Sequence, residues 1–178
     1  MAAPVEAITH RNRWATEHAD LTDGESIVAT FTDRNAPIIE EFRANNGNVE
    51  GHKFPVLLLT TTGGKTGAKR VSPMAYQEGD NALYVFASRG GAPNHPHWYL
   101  NLVANPDVTV EVGGETYEAT ATSLEGEEHH RIYAKQATDF PQFGEYQEKT
   151  DRVIPVVALV EKASHPPFVR LAFDNAPQ

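Results

Sequence analysis

The chain has 178 residues, 40% of them hydrophobic and 22% charged, with no cysteine and a formal net charge of −9. That composition fits one soluble globular domain large enough to bury a real core. It excludes disulfide and thiolate chemistry, a segment apolar enough to span a bilayer, and the broad basic face of a general nucleic-acid binder.

The first residues lack the apolar core of a secretion signal, so a cytoplasmic location is expected. Residues 5–19 read as an irregular helix, and residues 1–34 as a helical extension ahead of a domain at 35–178. Arg11, Arg13 and Trp14 offer a weak peripheral contact with a membrane; His18, Asp20 and Asp23 follow, and a solvated cap is the simpler reading. Ile38, Ile39 and Phe42, behind Pro37 near a helix start, predict a short amphipathic helix that stops at Asn45-Asn46-Gly47.

Strand signals then dominate. Val56–Thr62 is an apolar run, followed by Arg70–Gln77, a turn at Glu78-Gly79-Asp80-Asn81, and Ala82–Ser88, which together read as a hairpin. Gly90-Gly91-Ala92-Pro93 opens a loop, and Pro96 sits where a helix can begin. The helix His97–Ala104 ends at Asn105-Pro106, because proline disfavours the α-region for its predecessor. Val108–Val112 and Glu115–Ser123 form a second hairpin across Gly113-Gly114. Gly126–Thr138 and Pro141–Thr150 read as helices, and Pro155–Glu161 as the last strand. Six strands joined mostly by hairpins predict an antiparallel α+β barrel, since strands and helices do not alternate as in a doubly wound sheet.

One segment carries most of the chemistry. In VLLLTTTGGKTGAKRVSP (56–73) a strand runs into Gly63, Gly64 and Gly67, with Lys65, Lys69 and Arg70 around them. Glycines let backbone approach a ligand closely, and cations beside free amides suit an anion. Residues 51–106 hold five Lys/Arg against two acids, and no acid falls between Gly51 and Tyr76. The spacing is not that of a nucleotide P-loop, and the next element is a strand. A solvated hairpin with surface lysines is the plain alternative.

Ser88-Arg89-Gly90-Gly91 follows a strand and adds a hydroxyl and a cation, although an ordinary loop explains it equally well. His95 and His97 lack a nearby carboxylate, so no metal site is expected. Trp98, Tyr99 and Asn101 at a helix start suit a flat, polar-edged ring, with Trp98 as core filling the competing reading. His129 and His130, beside Glu127 and Glu128, read as solvated. Phe140, Phe143 and Tyr146, three apart, share one helix face. They form either core packing or a lid over substrate. Nothing favours a Ser-His-Asp site.

Three segments, LLLTTTGGKTGAKRVSP (57–73), ASRGGAPNHPHWYLNLVANP (87–106) and FPQFGEYQEKTDRVIPV (140–156), resemble the deazaflavin-dependent nitroreductases of actinobacteria, split β-barrel oxidoreductases that use coenzyme F-420. The resemblance spans roughly residues 38–160. It implies a six- to seven-stranded split barrel with the deazaflavin in a groove. It also implies that Gly64, Lys65, Thr66 and Arg70 bind the phosphate and oligoglutamate tail, with Lys69 added on electrostatic grounds. Val71, Ser72, Pro73, Met74 and Ala75, together with Phe86, Ala87, Ser88 and Arg89, would flank the ring. His97, Trp98, Tyr99, Leu100 and Asn101 would close the opposite side, and Phe143 would reach the coenzyme from the lid.

The lid departs from the family pattern. Nitroimidazole-reducing members tend to carry tyrosines at the positions of Phe140, Phe143 and Tyr146, the middle one implicated in protonation. This chain keeps only Tyr146, and an apolar lid favours a flat, hydrophobic, electron-poor acceptor: a conjugated enone, a quinone or a nitro compound. The reading assigns Ser88 to the acceptor's carbonyl and Tyr146 to proton donation, with solvent as a rival donor. Phe140, Phe143, Tyr146 and Ser88 would contact the substrate. An FMN-dependent oxidoreductase on the same barrel and a non-catalytic F-420 carrier are the alternatives.

Overall fold

Six strands close into one antiparallel barrel in the order β1-β2-β3-β6-β5-β4. They are β1 (Val56–Thr62), β2 (Lys69–Glu78), β3 (Leu83–Phe86), β4 (Asp107–Val112), β5 (Glu115–Ser123) and β6 (Val156–Glu161). Helices α1 (Ser26–Ala44), α2 (His97–Ala104), α3 (Gly126–Asp139) and α4 (Gln142–Glu148) flank it, with a 3-10 turn at Arg89–Gly91. These assignments come from a computed structural model that describes residues 26–163. The expected helix at 5–19 and the Arg11, Arg13 and Trp14 contact lie outside the described residues.

The continuous apolar run of β1 reflects burial on both faces. Leu57 and Leu59 point into the barrel among Val85, Val108, Val110, Val157 and Leu159. Leu58 and Val56 point outward under Phe42 of α1, with Ile39 and Val71 beside them. A bidentate ion pair from Arg43 to Glu111 of β4, 2.9 Å at each contact, docks the end of α1. In the β4–β5 hairpin Val112 faces Glu115 across the two glycines, and Gly113 takes the positive φ of +58° that so tight a turn requires.

The longest unpaired stretch of the barrel lies between β2 and β3. β2 pairs with β1 along Lys69–Ala75, but with β3 only over Tyr76–Glu78. Beyond the Tyr76–Val85 pair the two strands part, leaving Lys69–Ala75 with one edge free of a strand partner. Pro73 has no amide donor, and a stretch with one open edge is where a strand tolerates that loss.

Two sequence expectations change. α1 spans Ser26–Ala44, so Pro37 lies inside the helix rather than near its start. Pro37 is exposed, and the turns after it are held by Ile39 and Phe42 against the barrel. The helix does stop where expected: Gly47 donates to Phe42 O at 2.8 Å, a Schellman-type closure with Gly47 at φ +91°. His129 is buried rather than solvated, because His129, Ile132, Tyr133 and Gln136 form the inner face of α3. Its Nε2 lies 2.8 Å from Ile154 O, and its ring lies parallel to that of Tyr133. Among the described residues no helix is long and apolar enough to cross a membrane.

Two expectations for stability follow from this packing. Leu57→Ala opens a cavity in the barrel interior and should cost about 2–5 kcal/mol, read by chemical denaturation. Tyr133 donates its hydroxyl to Phe143 O at 2.6 Å, tying α3 to α4, and burial raises its phenol well above the ordinary range. A raised phenol keeps its proton in the folded chain after the unfolded chain has lost it. Stability is therefore intact below about pH 10 and falls as pH rises further. Tyr133→Phe should lose about 1–3 kcal/mol at neutral pH and show a shallower alkaline decline.

Candidate active site

Where β2 and β3 part, a cavity of about 770 Å³ opens. The free stretch of β2, from Arg70 to Ala75, forms one wall. α2 contributes His97, Trp98, Leu100, Asn101 and Ala104 opposite it, and Phe143 and Tyr146 of α4 close the far end. α2 is held to β1 by Asn101 Nδ2 on Thr61 Oγ1 and by Asn105 Nδ2 on Thr62 O, each at 3.3 Å. The wall therefore moves with the barrel.

One end of the cavity is built to receive an anion. The β1–β2 turn is locked by Gly67 N on Gly63 O at 2.9 Å and Gly63 N on Ala68 O at 2.8 Å, with Gly67 at φ +68°. Thr66 Oγ1 accepts from Ala68 N at 3.2 Å, so its side chain braces the turn as well as lining the cavity. A Cβ on Gly64 would stand 3.3 Å from Ala104 of α2, so glycine lets turn and helix approach. Lys65, Arg70 and Arg89 line the cavity, and among the described residues no Asp or Glu does. In a chain of net charge −9, that excess of cations suits a ligand carrying phosphate or carboxylate groups.

The other end is aromatic. Phe86 meets Phe143 edge-on at 5.6 Å, Phe143 meets Tyr146 at 5.4 Å, and Phe54 meets Phe143 at 6.0 Å. Edge-to-face pairs of this kind give a stiff apolar wall. The one hydroxyl in it belongs to Tyr146, which accepts from Gln142 Nε2 at 3.3 Å. Burial raises the Tyr146 phenol above its usual range, Glu145 adds to this, and the Gln142 bond opposes it. Tyr146 thus holds its proton through neutral pH. Among the described residues no group of three or more His, Asp or Glu side chains comes together to hold a metal ion.

Ser88 and Arg89 follow β3 and line the cavity beside Gly90. Arg89 adopts φ +46°, Gly90 +62° and Gly91 +82°, three left-handed residues in succession. Gly91 packs against α4 so closely that a Cβ would meet Tyr146 O at 2.7 Å.

Most of the residues singled out in the sequence meet in this one cavity: Gly64, Lys65, Thr66, Arg70, Val71, Ser72, Pro73, Met74, Ala75, Phe86, Ser88, Arg89, His97, Trp98, Leu100, Asn101, Phe143 and Tyr146. Four lie outside its lining. Lys69 turns back to Thr62 Oγ1 at 3.0 Å. Ala87 is fully buried, its amide on Pro155 O. Tyr99 packs toward the barrel core and reaches Ser123 Oγ at 3.2 Å. Phe140 backs onto Phe54 at 5.6 Å. Trp98 serves both readings, packing on the core and lining the cavity.

Gly63, one of the turn glycines read from the sequence, also lines the cavity, as do Phe54, Asn35, Pro96, Ala104 and Gln142, which escaped the sequence reading. Gln142 carried a usable signal, since it stands one turn before Tyr146 on the same helix. Phe54 carried none, because its place depends on how the segment before β1 crosses the open edge.

Residues 32–161 match the family described as F420H(2)-dependent quinone reductase. An F420H(2)-dependent quinone reductase of Mycobacterium tuberculosis is 37% identical over 130 residues, 68% of this chain and 85% of that protein. The solved structure of F420-H2 Dependent Reductase (FDR-A) is 43% identical with a TM-score of 0.55, over 59% of this chain and 93% of the other. A second solved chain, described as a domain-swapped dimer, is 38% identical with a TM-score of 0.57, over 74% and 98%. The coenzyme of the family is F-420, whose anionic tail and flat ring suit a cavity with a cationic end and an aromatic end. The chain belongs to the F420H(2)-dependent quinone reductase family.

Proposed function

We propose that the protein reduces a flat quinone-type acceptor at the aromatic end of the cavity, with coenzyme F-420 held from its cationic end. The observation that carries this reading is the polarity of one continuous cavity: Lys65 and Arg70 by the glycine turn, then Phe54, Phe86, Phe143 and Tyr146, with Arg89 also in the lining and no acid among the described residues there. When bound, the reduced deazaflavin supplies a hydride. The residues of the chain supply position, dryness and a proton.

Lys65 and Arg70, with the Gly64 turn, would hold the phosphate and carboxylates of the tail. Val71–Ala75 and Phe86 would flank the ring on one side, and Trp98 and Asn101 on the other. The aromatic wall excludes water from the reacting end and strengthens polar contacts made there. Reduction of a quinone to a hydroquinone consumes, in net, one hydride and one proton. Ser88 is the cavity hydroxyl suited to hydrogen-bond an acceptor oxygen on which negative charge develops.

Tyr146 holds a proton at Oη. Because Gln142 donates to that oxygen, the phenolic hydrogen is left to point elsewhere. Phe143 offers no proton, so reactions that need a donor at its position are disfavoured. Conjugated enones share the electrophilic carbon and carbonyl oxygen of quinones and are the second acceptor class this site suits. The aromatic end also argues against a mere carrier, which needs no room for an acceptor.

Three measurements test the reading. Mixing reduced F-420 with menadione should give protein-dependent oxidation; no turnover with any quinone or enone would refute it. Lys65→Ala and Arg70→Ala should each weaken F-420 binding about tenfold, consistent with loss of a charge-assisted contact, and raised salt should shrink the difference. Tyr146→Phe should lower the rate about tenfold or more at neutral pH while leaving F-420 affinity within about twofold, the range expected when a general acid is lost. An unchanged rate at every pH would remove Tyr146 as donor.

A further inference from the structure

Arg152 lies in the segment between α4 and β6, outside the cavity lining, yet its guanidinium grips the segment that leads from the end of β3 to the start of α2. Nε donates to Ala92 O at 2.9 Å and Nη2 to Ser88 O at 2.8 Å. Nη1 donates to Ala87 O at 3.1 Å and to His95 Nδ1 at 3.0 Å. Four acceptors on one planar fork is close to the capacity of an arginine, and a lysine has neither the fork nor the reach. Among the described residues Arg152 makes no ion pair with a carboxylate. This charge serves backbone carbonyls and one imidazole.

The segment so gripped is the one that most needs restraint. Three of its bonds fall on Ala87, Ser88 and Ala92, which bracket the left-handed run Arg89-Gly90-Gly91. A non-glycine residue at positive φ, as Arg89 is, stays there only when its surroundings hold it. The fourth bond falls on His95, one residue before Pro96, where the α2 wall begins. His95 also packs on Tyr99 of α2, with ring centroids 4.9 Å apart. Arginine cannot accept a hydrogen bond, so Nδ1 of His95 is the acceptor and its ring proton is on Nε2.

We propose that Arg152 is the positioning residue of the coenzyme cleft, a clamp that sets the Ser88–Arg89 wall and the start of the α2 wall together, and that the clamp engages His95 only in its uncharged form. The coenzyme's part in this rests on the function proposed above. Protonation of His95 would remove the acceptor and set a cation against the guanidinium. Burial and Arg152 both lower the His95 titration, burial foremost, which keeps the clamp closed at neutral pH. Arg89 and the Tyr133 phenol also face Arg152, and neither changes charge between pH 5 and 8. His97 also lines the cavity, so the wild-type profile is read against His95→Asn, which leaves His97 in place.

Three readouts test the clamp. Hydrogen exchange of the Gly91 and Ala92 amides in the free protein should be faster in Arg152→Lys than in wild type. Quenching of tryptophan fluorescence by F-420 should show affinity about tenfold weaker in the same variant, the scale of losing charge-assisted bonds. In wild type the affinity should fall as pH drops from about 7.5 to about 5, inflecting below the usual imidazole value of about 6.5. His95→Asn, which keeps an acceptor near Nδ1 but does not titrate, should flatten that profile with its thermal midpoint near wild type.

Unchanged exchange and affinity in Arg152→Lys would overturn the clamp, and an unflattened profile in His95→Asn would overturn its dependence on uncharged histidine. If Arg152→Lys fails to fold, the His95→Asn profile still decides. Wild type that binds no F-420 would refute the proposed function instead, while exchange in the free protein still judges the clamp.

Discussion

A barrel satisfies its backbone by pairing strands on both edges, and this one leaves its longest unpaired stretch at the seam between β2 and β3. After Tyr76 and Val85 the strands β2 and β3 diverge, and everything that gives the cavity its character is arranged around the gap. The free edge of β2 supplies one wall, the residues just past β3 supply the next, and α2 and α4 pack over the opening. A β-edge left open to water invites association with other strands. Here helices and the cavity cover it, so the structural liability and the proposed binding site are the same feature.

Charge and apolar surface are segregated along that gap for reasons already present in local structure. The tight glycine turn between β1 and β2 places Lys65 and, two pairs into the ladder, Arg70 at one end. The aromatic end forms because β3 and α4 bring Phe86 and Phe143 together above the Tyr133 hydroxyl that joins α3 to α4. One end is therefore polar and wet, the other stiff and dry, which is the division that an anionic coenzyme and an apolar acceptor call for.

Most of the barrel was readable from residue pattern, because each strand is bounded by its own turn chemistry: Gly113-Gly114, Asn105-Pro106 and the Glu78–Asn81 corner act within a few residues. The cationic turn was readable for the same reason. What escaped depends on contacts far apart in sequence. His129 looked solvated beside two glutamates, but its partner is the carbonyl of Ile154. Tyr99 and Ala87 sit within segments that line the cavity yet face away from it, since neighbouring residues on a helix or strand point in different directions. Arg152 gave no signal, because its four acceptors lie about sixty residues upstream.

The contact between Gly91 and α4 has a wider consequence. With only a hydrogen on Gly91 and the carbonyl oxygen of Tyr146 occupying the space a methyl group would need, α4 has no slack against the loop beneath it. Under the proposed function, a change of acceptor preference would therefore fall to exchanges of individual side chains at Gln142, Phe143 and Phe54, while the backbone that carries them stays where it is.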